Sequence, residues 1–445
     1  MTASIVKLRR LELARAGSDL SVAVEIQALM RRGAVPDPRV REGARAILAA
    51  VKAGGDATVR EANRRHGGGR ADGSLLVAKA EMEAARDALP RRIRAGLEQM
   101  IENIRRFAVT ELPATRTTTI VPGVEIERRW VPLSRVGVYA PGGSAAYPSS
   151  LLMGVVPAKV AGVGTIVVAS PADAEGAINR TLLGAAGLVG VDVFIVAGGA
   201  QAVGAMAYGL PDAGIAPVDR VVGPGNSWVT AAKLEVFGEC GIDLPAGPSE
   251  VMVVADRTAD PVHVAADLLS QAEHGPDSPA LLVTWDASFA ATVEAELGGQ
   301  LATAARREIL ERSLGKGALI VLAPNRDAAI GFVNDYAPEH LSVVVEDVEE
   351  AVARLRNAGS LFVGAYAPES AGDYASGANH VLPTGGLARS CGPLSTEDYG
   401  KFIQVQRITR DGLSTIRDAV ESIAEAEGLI AHKRAVEVRF EEAAS

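Results

Sequence analysis

Aromatic side chains are scarce in this chain, 4% of 445 residues, and cysteine occurs only twice. A core with few rings must be filled by small and branched aliphatic side chains, which suits closely packed α/β layers better than an aromatic-rich sandwich. Cys240 and Cys391 are too few for a disulfide framework, so a reducing cytoplasm is the simpler setting. A stripe of Lys and Arg is also missing and the formal charge is −9, which argues against a nucleic-acid partner. The longest apolar stretch, Ser149 to Ala169, carries Lys159, Pro157 and several glycines, so it reads as a helix followed by a buried strand and not as a membrane span. The amino terminus, MTASIVKLRRLELARAG, has basic residues but no continuous apolar core, so no secretion signal is expected. Short solenoid repeats are absent as well.

What is present is a 48% apolar content and 47 glycines, enough to bury more than one core. Residues 20–108 read as helical, with amphipathic segments at Arg39 to Lys52 and Met82 to Phe107 around the turn cluster RRHGGGRADG. From Arg135 the pattern changes to short β-branched runs, VGVYA, TIVVAS, VDVFIVA and VDRVV, each followed by a glycine-rich turn. A second series follows at EVMVVAD, ALLVTWD, ALIVLAP, LSVVVED and SLFVG, with helical stretches between several of them. Such alternation predicts parallel sheets with right-handed crossovers. The expected fold is α/β, two Rossmann-like doubly wound parallel-sheet domains with helical N-terminal and C-terminal extensions. Its expected boundaries are an arm at 1–25, a first α/β domain at 26–134 plus 247–394 holding the metal and substrate site, a second at 135–246 on the cofactor side, and a helical extension at 395–445.

Three turns, APGGSAAYP (140–148), AGGAQAVGA (197–205) and VGPGNSW (222–228), place small residues after strand ends, where a backbone can approach a pyrophosphate. None is a GxGxxG fingerprint, and singly each is ordinary turn chemistry. Three on one sheet edge suit a nucleotide better.

Asp260-Pro261 is a helix start, and the apolar spacing of VHVAADLLSQAEH runs until Gly275-Pro276. Gln271 and His274 therefore fall in the last turn, on one face, where the helix dipole favours a cation. Of six histidines, His274, His340, His380 and His432 stand among acids, amides or glycines, while His66 and His263 read as structural or solvent-facing. In NDYAPEHL, Glu339 and His340 precede a strand; adjacent extended residues point to opposite sides, so separate jobs are expected unless the backbone is irregular. The segment ESAGDYASGANHVLPTGGLAR (369–389), holding Asp373 and His380, reads as an ordered binding loop. In EGLIAH, Glu427 and His432 are i, i+5 and off one helix stripe, which implies a bend or separate roles. Two histidines, one aspartate and one glutamine could hold zinc, although spacing alone leaves Mn²⁺ or Mg²⁺ open.

Taken in order, RVGVYAPGGSAAYPSSLLMGVVPAKVAGV, AGPSEVMVVAD, DLLSQAEH, YAPEHL, GDYASGANHVLPT and EGLIAHKRAVEVR resemble histidinol dehydrogenase, from about Glu111 to Arg439. The resemblance implies one zinc per subunit held by Gln271, His274, Asp373 and His432. It makes His340 the base for the alcohol proton and Glu339 the group that activates water on an aldehyde intermediate. Ser249, His380 and Glu427 match substrate-contacting positions, as do the zinc ligands and the Glu339-His340 pair, and Tyr139, Gln201 and Asn226 match positions that touch NAD. The implied reaction oxidises L-histidinol through histidinal to L-histidine with two NAD, in the last steps of histidine biosynthesis, in a cytoplasmic homodimer whose Glu-His pair is contributed across the subunit interface.

Neither cysteine falls in a matching motif, which disfavours a thiohemiacetal route. One departure stands beside a ligand: the family's QAEHD is QAEHG here, with Gly275 in place of an acid. Competing expectations are a paralogous zinc/NAD dehydrogenase for another small alcohol such as a sulfonated diol, a metal-dependent hydrolase, and an inactive metal-stabilised protein. An anionic substrate would want Arg or Lys in the pocket. A hydrolase would form no NADH.

Overall fold

A computed structural model of the chain describes residues 7–142 and 147–441. Residues 143–146 of the turn at 140–148 lie outside the described residues. The chain divides into two compact units, Met1–Glu111 with Leu133–Tyr399 and Leu112–Pro132 with Gly400–Ser445.

The first unit carries two parallel sheets. The five-stranded one runs Val193–Val196, Thr165–Ser170, Arg135–Tyr139, Arg220–Val222, Gly241–Ile242. The six-stranded one runs Arg9–Glu12, Ala318–Leu322, Ala280–Thr284, Val251–Ala255, His340–Val344, Ser360–Val363. Their central strands are buried and mostly apolar because helices cover both faces. In Val251–Ala255, Val253 packs with Leu268 and Val293 on one side, while Met252 and Val254 pack with Ile330 and Val333 on the other. The edge strand Arg9–Glu12 was not expected; sequence reading left it in an amino-terminal arm.

Few aromatics are needed because small residues let the layers close. A Cβ on Gly137 would stand 2.7 Å from Met206 Sδ of the covering helix Gly199–Tyr208. The helix Pro148–Ala161 is apolar almost all round and buried, with the left-handed Gly162 at its end before the strand Thr165–Ser170. No helix among the described residues is long and apolar enough to cross a membrane. The expected segment Met82 to Phe107 is two helices, Lys79–Asp87 and Arg91–Thr110, because Pro90 has no N–H to continue the first.

The second unit holds an antiparallel sheet in the order Gly400–Ile408, Val124–Pro132, Arg116–Val121, followed by the helices Arg410–Ala426 and Ile430–Glu437. The helices were expected and the sheet was not. Gly400 sits under the Trp130 ring, where any Cβ would collide at 2.2 Å.

Candidate active site

A helix that follows a parallel strand runs back beside it and delivers its carboxyl end to the amino edge of the sheet. Pro261–Ala272 does this after Val251–Ala255, with Asp260 capping its start by accepting from Val262 N. Gln271 is fully buried in its last turn. His274 lies just past the helix, not within it, and its amide still donates to the Gln271 carbonyl at 3.1 Å. Opposite stands the short helix Glu369–Tyr374, a structured start to what was read as a loop, which presents Glu369 and Asp373 on one face. His274, Glu369 and Asp373 offer ligand atoms that all lie within 4.8 Å of one another.

Those atoms suit a small divalent cation. Both Glu369 carboxylate oxygens and the Gln271 Nε2 are buried without a hydrogen-bond partner. The Gln271 Oε1 lies 3.5 Å from the Ser249 hydroxyl, and turning the amide over would offer oxygen in place of nitrogen. An N/O set with no thiolate fits zinc. Burial pushes the Glu369 carboxyl up to about 8.

Glu339 and His340 converge on this place. The preceding helix Arg326–Tyr336 ends at Ala337 in the left-handed region, φ 54°, and the strand begins only at His340. That turn overrides the opposite-sides expectation: Glu339 Oε2 is 3.5 Å from His340 Nδ1. Glu339 Oε2 accepts from the Glu250 amide at 2.8 Å, and His340 Nδ1 faces the Glu250 carbonyl at 3.2 Å. A carbonyl only accepts, so Nδ1 carries the proton and Nε2 is left for chemistry. Nε2 is 3.9 Å from Asp373 Oδ1. Burial opposes charge on His340, but Glu339, Glu369 and Asp373 outweigh it and raise the imidazole to about 10.

His380 is held between two elements. Its Nδ1 donates to the Asp373 carbonyl at 3.0 Å, and Nε2 accepts from Ser150 at 3.2 Å. Burial lowers its pKa, which keeps the ring neutral. Ser249, His274, Glu339, His340, Asp373 and His380 all line one cavity of about 620 Å³. Glu427 and His432 belong to the second unit, where both are exposed. Glu427 caps one helix, and His432 lies in the next, beyond a bend at Gly428 with φ 72°.

A second cavity, about 430 Å³, opens at the carboxyl edge of the five-stranded sheet. It gathers Tyr139, Gln201 and Asn226 together with Gly198, Gly199 and Pro171. Gln201 is steadied by Asn63, and the Asn226 side chain accepts from Trp228 N and Val229 N, capping the helix Ser227–Val236. Asn226 lines both cavities. His66 borders the second one too and is exposed, as its solvent-facing reading expected.

The family model described as histidinol dehydrogenase matches residues 30–440. The chain belongs to the histidinol dehydrogenase family. A histidinol dehydrogenase of Leifsonia xyli subsp. xyli is 46% identical over 401 residues, covering 89% of this chain and 92% of its own. One from Halobacterium salinarum is 47% identical over 363 residues, covering 81% and 84%. The crystal structure of histidinol dehydrogenase from Elizabethkingia anophelis superposes with a TM-score of 0.89 at 35% identity, covering 97% of this chain and 98% of that one.

The Glu339-His340 pair is not brought in across an interface, because it lines the same cavity of the same chain as His274 and Asp373. Sequence reading also passed over Glu369, which the short helix sets one turn before Asp373. Its spacing of four from a proposed ligand was the available signal.

Proposed function

We propose that this protein oxidises L-histidinol through L-histidinal to L-histidine, reducing two NAD and requiring zinc. The observation that carries the reading is the junction of two cavities at Asn226, with an N/O donor set and a Glu-His pair on one side and glycine-rich strand ends on the other.

In the first oxidation an alcohol loses a hydride to the nicotinamide and its hydroxyl proton to Nε2 of His340, leaving aldehyde, NADH and an imidazolium. In the second, water adds to the aldehyde while Glu339 takes its proton. The hydrate then gives a second hydride to another NAD and its remaining hydroxyl proton to solvent, ending as carboxylate. With Oε2 held by the Glu250 amide, Glu339 has its other oxygen available for water. Glu339, Glu369 and Asp373 favour the protonated imidazole of His340 against its burial. A cation held at Asp373 and Glu369 would offset those carboxylates and leave Nε2 to act as the base.

Gln271, His274 and Asp373 would hold zinc, which when bound supplies a template for the imidazole and amino nitrogens of the substrate. Ser249 and His380 contact the substrate, and Tyr139, Gln201 and Asn226 contact NAD. The enzyme works as a cytoplasmic homodimer, with His432 as the remaining zinc ligand and Glu427 as a substrate contact, each reaching the site from the partner's second unit. Supporting the dimer, that unit exposes Ile423, Leu429 and Ile430 around these two residues. Supporting histidinol over an anionic alcohol, no Lys or Arg is among the described residues lining the 620 Å³ cavity.

The test is NADH release by purified, zinc-loaded protein given L-histidinol. Two NADH per histidine are expected; one, with aldehyde accumulating, would remove Glu339's role, and none would favour a hydrolase.

A further inference from the structure

Arg32 lies in the amino-terminal third, just beyond the helix Leu20–Met30, in a segment to which no motif points. Its guanidinium is nonetheless fully committed. Nε and Nη2 form a fork on Glu250, at 2.8 and 2.7 Å. Nη1 donates to the carbonyls of Leu29 and Tyr336 at 3.1 and 2.7 Å, and Nη2 reaches the Ala337 carbonyl at 3.3 Å. The Tyr336 ring stacks 3.2 Å from its central carbon. Glu250 in turn accepts from Tyr336 OH at 3.0 Å and from Gly385 N at 3.2 Å, and its side chain is 3% exposed.

Two independent routes lead from this cluster to the Glu-His pair. Glu250's own backbone holds both reactive side chains, its amide on Glu339 and its carbonyl on His340. Arg32 also grips the carbonyls of Tyr336 and Ala337, the turn whose positive φ aims Glu339 toward His340. A non-glycine residue in that region is strained and persists only where its surroundings hold it. A cluster serving stability alone would do as well with apolar groups, since a buried ion pair seldom stabilises more than a hydrophobic replacement.

We propose that Arg32 is a positioning residue for the reaction, fixing Glu339 and His340 together through Glu250 and the Ala337 turn. The inference rests on the proposed roles of that pair. Because both side chains hang on one residue's backbone, loosening the clamp slows both oxidations by a similar factor. Lysine cannot replace the fork, having one point charge where Arg32 makes five hydrogen bonds.

The test compares zinc-loaded, full-length Arg32→Lys with the parent in separate assays of L-histidinol and L-histidinal oxidation. Turnover per zinc-loaded chain is expected to fall about 10- to 100-fold in both, the scale of a displacement near 1 Å. KM for NAD should stay within about twofold, zinc content should be unchanged, and added guanidinium should partly restore Arg32→Ala. Turnover within about twofold of the parent despite a lowered melting temperature would make Arg32 merely structural and overturn the proposal, as would slowing confined to one step. If the lysine variant does not fold, Glu250→Gln, which keeps the shape but loses the charge, must show the same paired slowing. His340→Asn in the same assays separates the two readings. Normal turnover there sinks the role of the pair, whereas inactive His340→Asn beside a fully active Arg32→Lys sinks only the clamp.

Discussion

His340 shows how one backbone carbonyl can decide chemistry. With Nδ1 donating to Glu250 O, the neutral imidazole has a single tautomer, with Nε2 as its free nitrogen. Asparagine in its place keeps a donor but provides no base, so His340→Asn should lose most turnover in steady-state assays while zinc content, read by atomic absorption, stays at one per chain. Loss of zinc instead would make it a ligand. Glu339→Gln should spare histidinol oxidation far more than histidinal oxidation, seen as aldehyde released per NADH. At this scale the sequence was most informative where a rare residue type stands in a dense motif, as at His274, His340 and Asp373. It was least informative for Glu250 and Glu369. A lone glutamate near a strand or helix start looks like surface charge, and only burial, which tertiary packing decides, marks it out.

Among the elements, the helix Ser227–Val236 begins on a side chain with two duties. Asn226 caps it through two amides and also borders both cavities. Asn226→Ala should therefore cost about 1 kcal/mol of stability from the lost cap and raise KM for NAD in parallel; Asn226→Asp, an equally good cap, should restore the melting temperature. In the second unit, the arginines at 129 and 407 hold the Glu127 carboxyl down at about 2, and Arg407 ties it across from the neighbouring strand. A carboxylate with a lowered folded pKa contributes stability above its unfolded value of 4.5 that is lost as pH falls toward 2. Arg407→Ala should accordingly lower stability at neutral pH, modestly because the pair is solvent-screened, and leave it unchanged near pH 2, so that the pH dependence across that window flattens, as followed by circular dichroism. This sheet escaped sequence reading because Arg116–Val121 is polar and exposed along most of its length, so neither face shows a clear apolar period. The parallel strands were legible for the opposite reason: helices on both faces require unbroken apolar runs.

For the molecule, the decisive arrangement is that two sheets of one unit turn different edges to the site. The cavity of Tyr139 and Gln201 lies at the carboxyl ends of the five-stranded sheet, where a doubly wound sheet favours a ligand. The Glu-His pair and Ser249 stand instead at the amino ends of the six-stranded sheet, where a returning helix brings Gln271 and His274. Strand rhythm announces each sheet but not which edge is used, since that depends on how the sheets face each other. It likewise leaves His432 and Glu427 as histidine and glutamate on a terminal helical bend, with nothing local to assign them a role.

The account is tested most directly by a crystal structure of the zinc-loaded protein with L-histidinol and NAD, with an anomalous map recorded at the zinc edge. It predicts one peak per chain touching Gln271, His274 and Asp373, with His432 of the partner subunit, the carbinol carbon beside His340 Nε2, and the nicotinamide on the Asn226 side. A peak away from those ligands, or a dinucleotide bound outside the cavity of Tyr139 and Gln201, would contradict it.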